Sequence, residues 1–274
     1  NLLVSLGSGM TTPVATFLHY LLLPTLVNLL IGGWYLRRTL GARLDTGGAP
    51  SAPRPPKVPL LPSSGFLNSI RRFPVLVLFP VTMTGMVTVD VAANLLRGAP
   101  VPLYAIALGG AVLVLLVTPG RGELFARADW TILVLFAALF VVVAGAETGG
   151  LLAGLQAVQP IPGPGHRLSS IGVILATGLV GSQLVSNVPW VALQIPVLHA
   201  AGYGPSNPWA WVALAGGSTL AGNLTLLGAA SNLIVVQQSE RAGIRIGLTQ
   251  FVRIGLPITA LTVLVLYVFL AIGW

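Results

Sequence analysis

Between Gly181 and Val236 a strongly apolar chain is twice interrupted by small polar residues, first as GSQLVSNVPW (Gly181–Trp190) and then as GGSTLAGNLTLLGAASNLIV (Gly216–Val235). Few features constrain a fold as tightly. A backbone inside a bilayer cannot leave its N–H and C=O groups unpaired, so irregular segments at membrane depth are tolerated only where they line a cavity or binding site. Two such segments in an apolar chain therefore predict broken helices around a transport or binding site.

That argument requires a membrane, and composition supplies it. The chain is 55% hydrophobic and only 7% charged, with a mean hydropathy of +0.90. Soluble domains carry roughly 25% charged residues, so a soluble globule is excluded. The net charge of +8 does not imply nucleic acid, because the basic residues lie between apolar spans rather than along one face. The chain has no cysteine, which removes disulfides and thiolate metal sites together. No HExxH, GxSxG or pair of acids at catalytic spacing occurs, so an enzyme is not expected and no cofactor is implied beyond a coupling Na⁺ or H⁺.

Runs near 20 apolar residues predict spans at 13–36, with Pro24 inside, then at 73–96, 102–118 and 130–146. Residues 168–201 are long enough to cross, but Ser186-Asn187-Val188-Pro189 sits near their centre and Pro196 follows. A helix interior resists proline by roughly 3 kcal/mol, so a re-entrant hairpin is the better expectation. Residues 208–237 read as a broken helix, and 249–272 as the last crossing. The fold class expected is an all-α polytopic membrane protein with inverted repeats, a re-entrant hairpin and a broken helix. Residues 1–38 would end the first repeat, and 73–274 would form the second, with scaffold helices over 73–146.

Residues 39–72 separate the two, with Pro50, Pro53, Pro55, Pro56, Pro59 and Pro62 among Arg43, Arg54 and Lys57. They read as an extended basic linker. Such a loop can touch anionic lipid, although a simply solvated basic loop is the plainer reading. With the linker in the cytoplasm and 168–201 re-entrant, twelve of the fourteen basic residues face inward, leaving Arg97 and Arg167 outside. A full crossing there would instead send Arg241, Arg245 and Arg253 outward. Charge bias thus favours the hairpin, and a bacterial inner membrane is the expected location.

The opening Asn1-Leu2-Leu3-Val4 matches Asn232-Leu233-Ile234-Val235. Each is followed by an aromatic (Phe17, Phe251) and a proline (Pro24, Pro257), with asparagine-to-proline separations of 23 and 25 residues. The copies end on opposite sides in the topology above, as inverted repeats do. Asn1 stands where a methionine would open a complete chain, so the sequence is expected to be a C-terminal piece.

Asp129–Gly150 (DWTILVLFAALFVVVAGAETGG), the SNVP tip and GNLTLLGAASNLIV together resemble the ion transporter superfamily of arsenite permeases, citrate and dicarboxylate symporters and sodium/proton antiporters, nearest its arsenite-permease-like branch. The resemblance implies two hairpins and two broken helices meeting at the midplane, homodimers and elevator-like motion. It makes Ser186-Asn187 the hairpin tip, Gly222–Asn232 the break, and Asn1 the closing asparagine of a first break whose hairpin lies upstream. Symporters of the superfamily often carry Ser-Asn-Thr at the tip, whereas Val188 stands here, a departure from dicarboxylate specificity.

The candidate binding residues are Ser186, Asn187, Thr219, Asn223, Thr225, Ser231, Asn232 and Asn1, with Glu147 as a possible proton or cation partner. Half-helix N-termini suit an anion, while unwound carbonyls suit Na⁺ or a neutral solute. Ordinary packing by small residues accounts for Thr219 and Thr225 equally well. Asp90, near a helix end, reads as interfacial, His19 as packing, and His166 and His199 as loop or hairpin-end residues. No carboxylate lies in either break, which favours a small inorganic anion, oxyacid or carboxylate over the alternative, a Na⁺/H⁺ antiporter.

Overall fold

The computed structural model describes residues 2–45, 75–96, 102–118, 130–150, 157–241 and 245–273, with positions 122, 126 and 154. The described residues are helical throughout their ordered elements: α1 (Leu2–Gly7), α2 (Pro13–Asp45), α3 (Val75–Leu96), α4 (Leu103–Val117), α5 (Trp130–Thr148), α6 (Arg167–Val185), α7 (Asn187–Ala200), α8 (Pro208–Leu220), α9 (Ala230–Arg241) and α10 (Leu248–Ile272). Among these, α2, α6 and α10 are long and apolar enough to cross a membrane. The protein is an all-α polytopic membrane protein.

Two compact units divide the chain, one of Asn1–Met10, Phe17–Pro53 and Ala138–Trp274, the other of Thr11–Thr16 and Arg54–Ala137. In the smaller unit α3 packs on α4. Asp90, expected at the interface, is instead 4% exposed, and its Oδ2 accepts a hydrogen bond of 2.7 Å from the Ala15 amide. That amide is in the first turn of α2, where N–H groups have no intrahelical acceptor. A carboxylate from a neighbouring helix thus caps it, at the end of the dipole that favours negative charge. Asp90→Ala is expected to destabilise the protein by about 1.5–3 kcal/mol, the usual worth of a charged hydrogen bond. Asp90→Asn, which keeps the acceptor, should lose less. Thermal unfolding in detergent reads both, and an unchanged midpoint for Asp90→Ala would remove the cap from the account.

The larger unit is built around α8. Pro208 opens this helix at its first turn, where a missing N–H costs nothing. Every residue from Trp209 to Ser218 is buried, as expected of a helix apolar on all sides. Lipid tails are as apolar as the side chains, so such burial is driven by close packing rather than escape from water. The closest approach uses glycines on both helices. A Cβ at Gly217 would stand 3.2 Å from Leu175 Cα, and one at Gly178 3.2 Å from the Ser218 amide nitrogen. Backbone therefore lies directly on backbone where α6 crosses α8.

The base of the α6–α7 pair is tied on three sides. Arg167 Nη2 donates to Leu270 O at 2.8 Å, satisfying a carbonyl near the end of α10, and its guanidinium stands 5.5 Å over the Trp209 ring. His199, in the last turn of α7, meets Gly7 O at 2.7 Å and Tyr203 O at 3.1 Å. The Tyr203 hydroxyl donates to Pro162 O. Burial pushes this phenol above its ordinary value, an effect partly offset by a hydrogen bond with Ser170.

One span differs from the sequence expectation. The helix starting at Pro13 does not stop at Leu36 but runs to Asp45, into the stretch read as linker. Arg37, Arg38, Leu40, Ala42 and Arg43 are good helix formers, no proline occurs before Pro50, and cations suit a helix C-terminus. Residues 46–74 of the expected linker lie outside the described residues.

Candidate functional site

Two chain breaks interrupt the helices of the larger unit. The first lies at Ser186, which separates α6 from α7. Its φ of +69° and ψ of 163° fall in a region that is essentially the preserve of glycine, at about 1–3 kcal/mol for another residue. It is the one non-glycine residue with positive φ among the described residues. Asn187 opens α7, and the Ser186 hydroxyl makes no cap to that helix, pointing instead to Asn187 Oδ1 at 3.5 Å. The first turn of α7 therefore begins without a side-chain cap and without an acidic residue, leaving N–H groups and a positive dipole end uncompensated.

The second break separates α8 from α9. Two short 3₁₀ turns, Ala221–Asn223 and Leu226–Gly228, replace the helix there. Side chains hold the opened backbone. Asn232 Nδ2 donates to Gly222 O at 2.6 Å and to Thr225 O at 3.1 Å. Gln183 Nε2, from the last turn of α6, donates to Ala221 O at 2.7 Å, and its Oε1 accepts from the Thr225 hydroxyl at 2.5 Å. The amides thereby pair Gly222 O and reinforce Ala221 O and Thr225 O, which also accept from the Leu224 and Gly228 amides. Behind the break, α10 presents Gly255 directly to Asn223 O, with no room for a Cβ.

The candidate residues separate into groups on this frame. Thr225 and Asn232 share one network, but as props of the backbone. Ser186 and Asn187 sit at the hairpin tip, and no hydrogen bond joins either to the second break among the described residues. Asn223 and Ser231 are exposed within and just beyond the break. Thr219 bonds back to Ala215 O at 2.7 Å, within its own helix. Glu147 falls in the last turn of α5, and its side chain, like all of Asn1, lies outside the described residues.

Gln183 is the residue that sequence reasoning missed, although it lies inside the first polar interruption. Its signal is a long amide two residues beyond a glycine in an apolar run, a costly group to bury without partners. Three more polar atoms of the hairpin, Ser182 Oγ, Trp190 Nε1 and Gln194 Nε2, are buried with no hydrogen-bond partner among the described residues. All three can donate, a property that suits an anion or an ordered water. No group of three or more His, Cys, Asp or Glu capable of holding a metal occurs among the described residues.

Comparison with known proteins places this geometry. A family profile described as citrate transporter matches residues 1–216, which includes the hairpin and most of α8 but stops short of the second break. An uncharacterized transporter of Mycobacterium tuberculosis is 29% identical over 174 residues, covering 62% of this chain and 40% of its own length. An uncharacterized transporter of Synechocystis is 30% identical over 196 residues, covering 63% of this chain and 43% of its own. The human P protein is 31% identical over 162 residues, which is 54% of this chain and 19% of that protein. The chain thus spans about two fifths of the bacterial relatives' length. No solved structure matches it. By the profile that covers most of its residues, the chain belongs to the citrate transporter (CitMHS) family.

Proposed function

We propose that this protein is a secondary active transporter that moves a small anion, either a carboxylate or an inorganic oxyacid of the arsenite type, coupled to Na⁺ or H⁺. The observation carrying this reading is the break between α8 and α9, three of whose carbonyls already accept hydrogen bonds. Ala221 O, Gly222 O and Thr225 O accept from Gln183 and Asn232, so the carbonyl oxygens a bare cation would need are largely committed. What remains on offer are N–H groups at the uncapped start of α7 and at α9, which also has no acidic residue in its first turn. Donors without carboxylates favour an anion over cation exchange. The family description, citrate transporter, and the names of the relatives support transport; citrate itself enters as one member of the class.

One arm of the hairpin and the helix beyond the second break are too short to cross a bilayer. At 1.5 Å per residue the 14 residues of α7 rise about 21 Å, and the 12 of α9 about 18 Å, short of the roughly 30 Å of hydrocarbon. These are half-helices, and they suit a site near the midplane with elevator-type alternating access. A homodimer in a bacterial inner membrane, with the 39–72 linker cytoplasmic, completes the proposal.

Proteoliposomes of the full-length protein test it, loaded in turn with citrate, arsenite, sulfate and phosphate under inward Na⁺ or H⁺ gradients. One of these solutes should accumulate above equilibrium, and Asn187→Ala should reduce its uptake at least tenfold (roughly 1.4 kcal/mol) while the protein remains folded. If none accumulates and a Na⁺ pulse instead alkalinises the lumen, the protein is a Na⁺/H⁺ antiporter.

A further inference from the structure

His199 meets a carbonyl oxygen at each of its ring nitrogens. Nδ1 stands 3.1 Å from Tyr203 O, and Nε2 stands 2.7 Å from Gly7 O. A carbonyl can only accept, and a neutral imidazole carries a single N–H. Only the imidazolium can therefore donate to both. Its position suits the charge, because the last turn of α7 is the end of a helix dipole that attracts cations. Gly7 closes α1, so its carbonyl has no donor within that helix. The buried Trp211 ring backs the imidazole, with centroids 5.0 Å apart.

No carboxylate competes for the proton. Neither Asp nor Glu occurs in α1, α6, α7 or α8, which pack together here, or in residues 157–166 and 201–207. Three other titratable groups lie at this end. Arg167 is committed to Leu270 O and the Trp209 ring. His166 is exposed at the start of α6, and the Tyr203 phenol donates to Pro162 O.

Loss of the proton turns a nitrogen lone pair toward one of the two carbonyls, and that contact must open. The Tyr203 side is the better held. Tyr203 N donates to Leu198 O at 3.0 Å, and Gly202 N to His199 O at 3.0 Å, besides the bond from the phenol. The Gly7 side joins segments 192 residues apart in the chain. Gly7 also abuts Ile195 of α7, so opening this bond frees the last turn of α1 while its packing stays.

We propose that His199 is a proton-operated latch between α1 and the root of the α6–α7 hairpin. Charged, it fastens the end of α1 to α7; neutral, it keeps the Tyr203 turn and lets Gly7 go. The latch stands apart from the transport reading, since it uses neither the hairpin tip nor the second break.

Hydrogen–deuterium exchange of the full-length protein in detergent tests it, read on residues 4–10 and normalised to the intrinsic rate at each pH. Between about pH 5 and about pH 8, where histidine changes its charge, the wild-type segment should lose protection by on the order of fivefold. Residues 209–218 of α8 should keep theirs. His199→Gln supplies an amide donor that does not titrate, and should show equal protection of residues 4–10 at both pH values. If that variant fails to fold, His199→Arg, which is always charged, should remove the pH step in the same way. Unchanged protection of the wild-type segment across the two pH values would overturn the latch, as would a full-sized step in a folded His199 variant.

Discussion

Asn232→Ala is expected to abolish uptake in proteoliposomes, with a loss of at least a hundredfold. The wild-type amide holds Gly222 O at 2.6 Å and Thr225 O at 3.1 Å, two carbonyls on either side of the unwound stretch. Leaving a buried acceptor unsatisfied costs about 1–3 kcal/mol. Gly222 O would lose its partner and Thr225 O would keep only the Gly228 amide at 3.2 Å, so the opened backbone should rearrange toward whatever helix or turn re-pairs them. The loss should therefore exceed that from removing one direct ligand contact. Asn232→Asp provides the sharper comparison, because it keeps the size and removes the donor, turning an oxygen toward two carbonyl oxygens. It should be no better than alanine. Uptake and thermal unfolding measured together separate a displaced break from a misfolded protein. Wild-type uptake by either variant would show that the break does not depend on this amide.

A methyl group at Gly255 should have an effect of similar size from the opposite side. In Gly255→Ala the new Cβ would collide with Asn223 O, and the colliding atom is backbone, which cannot swing aside as a side chain would. Overpacking of this kind typically costs about 1–3 kcal/mol. Here the strain should fall on the break itself or push α10 away from it. We expect the folded fraction to fall and uptake by the remaining folded protein to drop at least tenfold. A variant with wild-type stability and uptake would mean that α10 and the break are not in register as described.

These two residues show how unevenly the site is written in the chain. Asn232 could be singled out because an amide in an apolar stretch is conspicuous and because Asn1-Leu2-Leu3-Val4 repeats its surroundings. Its work proved to be on the backbone, which residue type alone does not reveal. Gly255 gave no signal, since a glycine in a packed helix looks the same whether it faces lipid or another chain segment. Gln183 went unread and Asp90 was read as interfacial for a shared reason. Each is a polar side chain whose partner is backbone far along the chain, at Ala221 and at Ala15, and every residue carries the same backbone. The long apolar runs, by contrast, were legible because a bilayer sets helix length and polarity together. The helix that overran Leu36 to Asp45 shows the limit of that rule, as charge marks the end of the hydrocarbon layer and not the end of a helix.

The α6–α7 hairpin is, in mechanical language, a cantilever. Its root is clamped by Arg167 to α10, by His199 to α1 and by Tyr203 to Pro162, its middle lies on α8 at Gly178, and beyond that its side-chain hydrogen bonds to the break come, among the described residues, from Gln183. In a beam held this way, deflection grows with distance from the root, and the most compliant point lies at the free end. That end is Ser186, already twisted into a conformation its side chain disfavours. A load on the hairpin would therefore be felt most at Ser186 and Asn187, beyond the Gln183 tether.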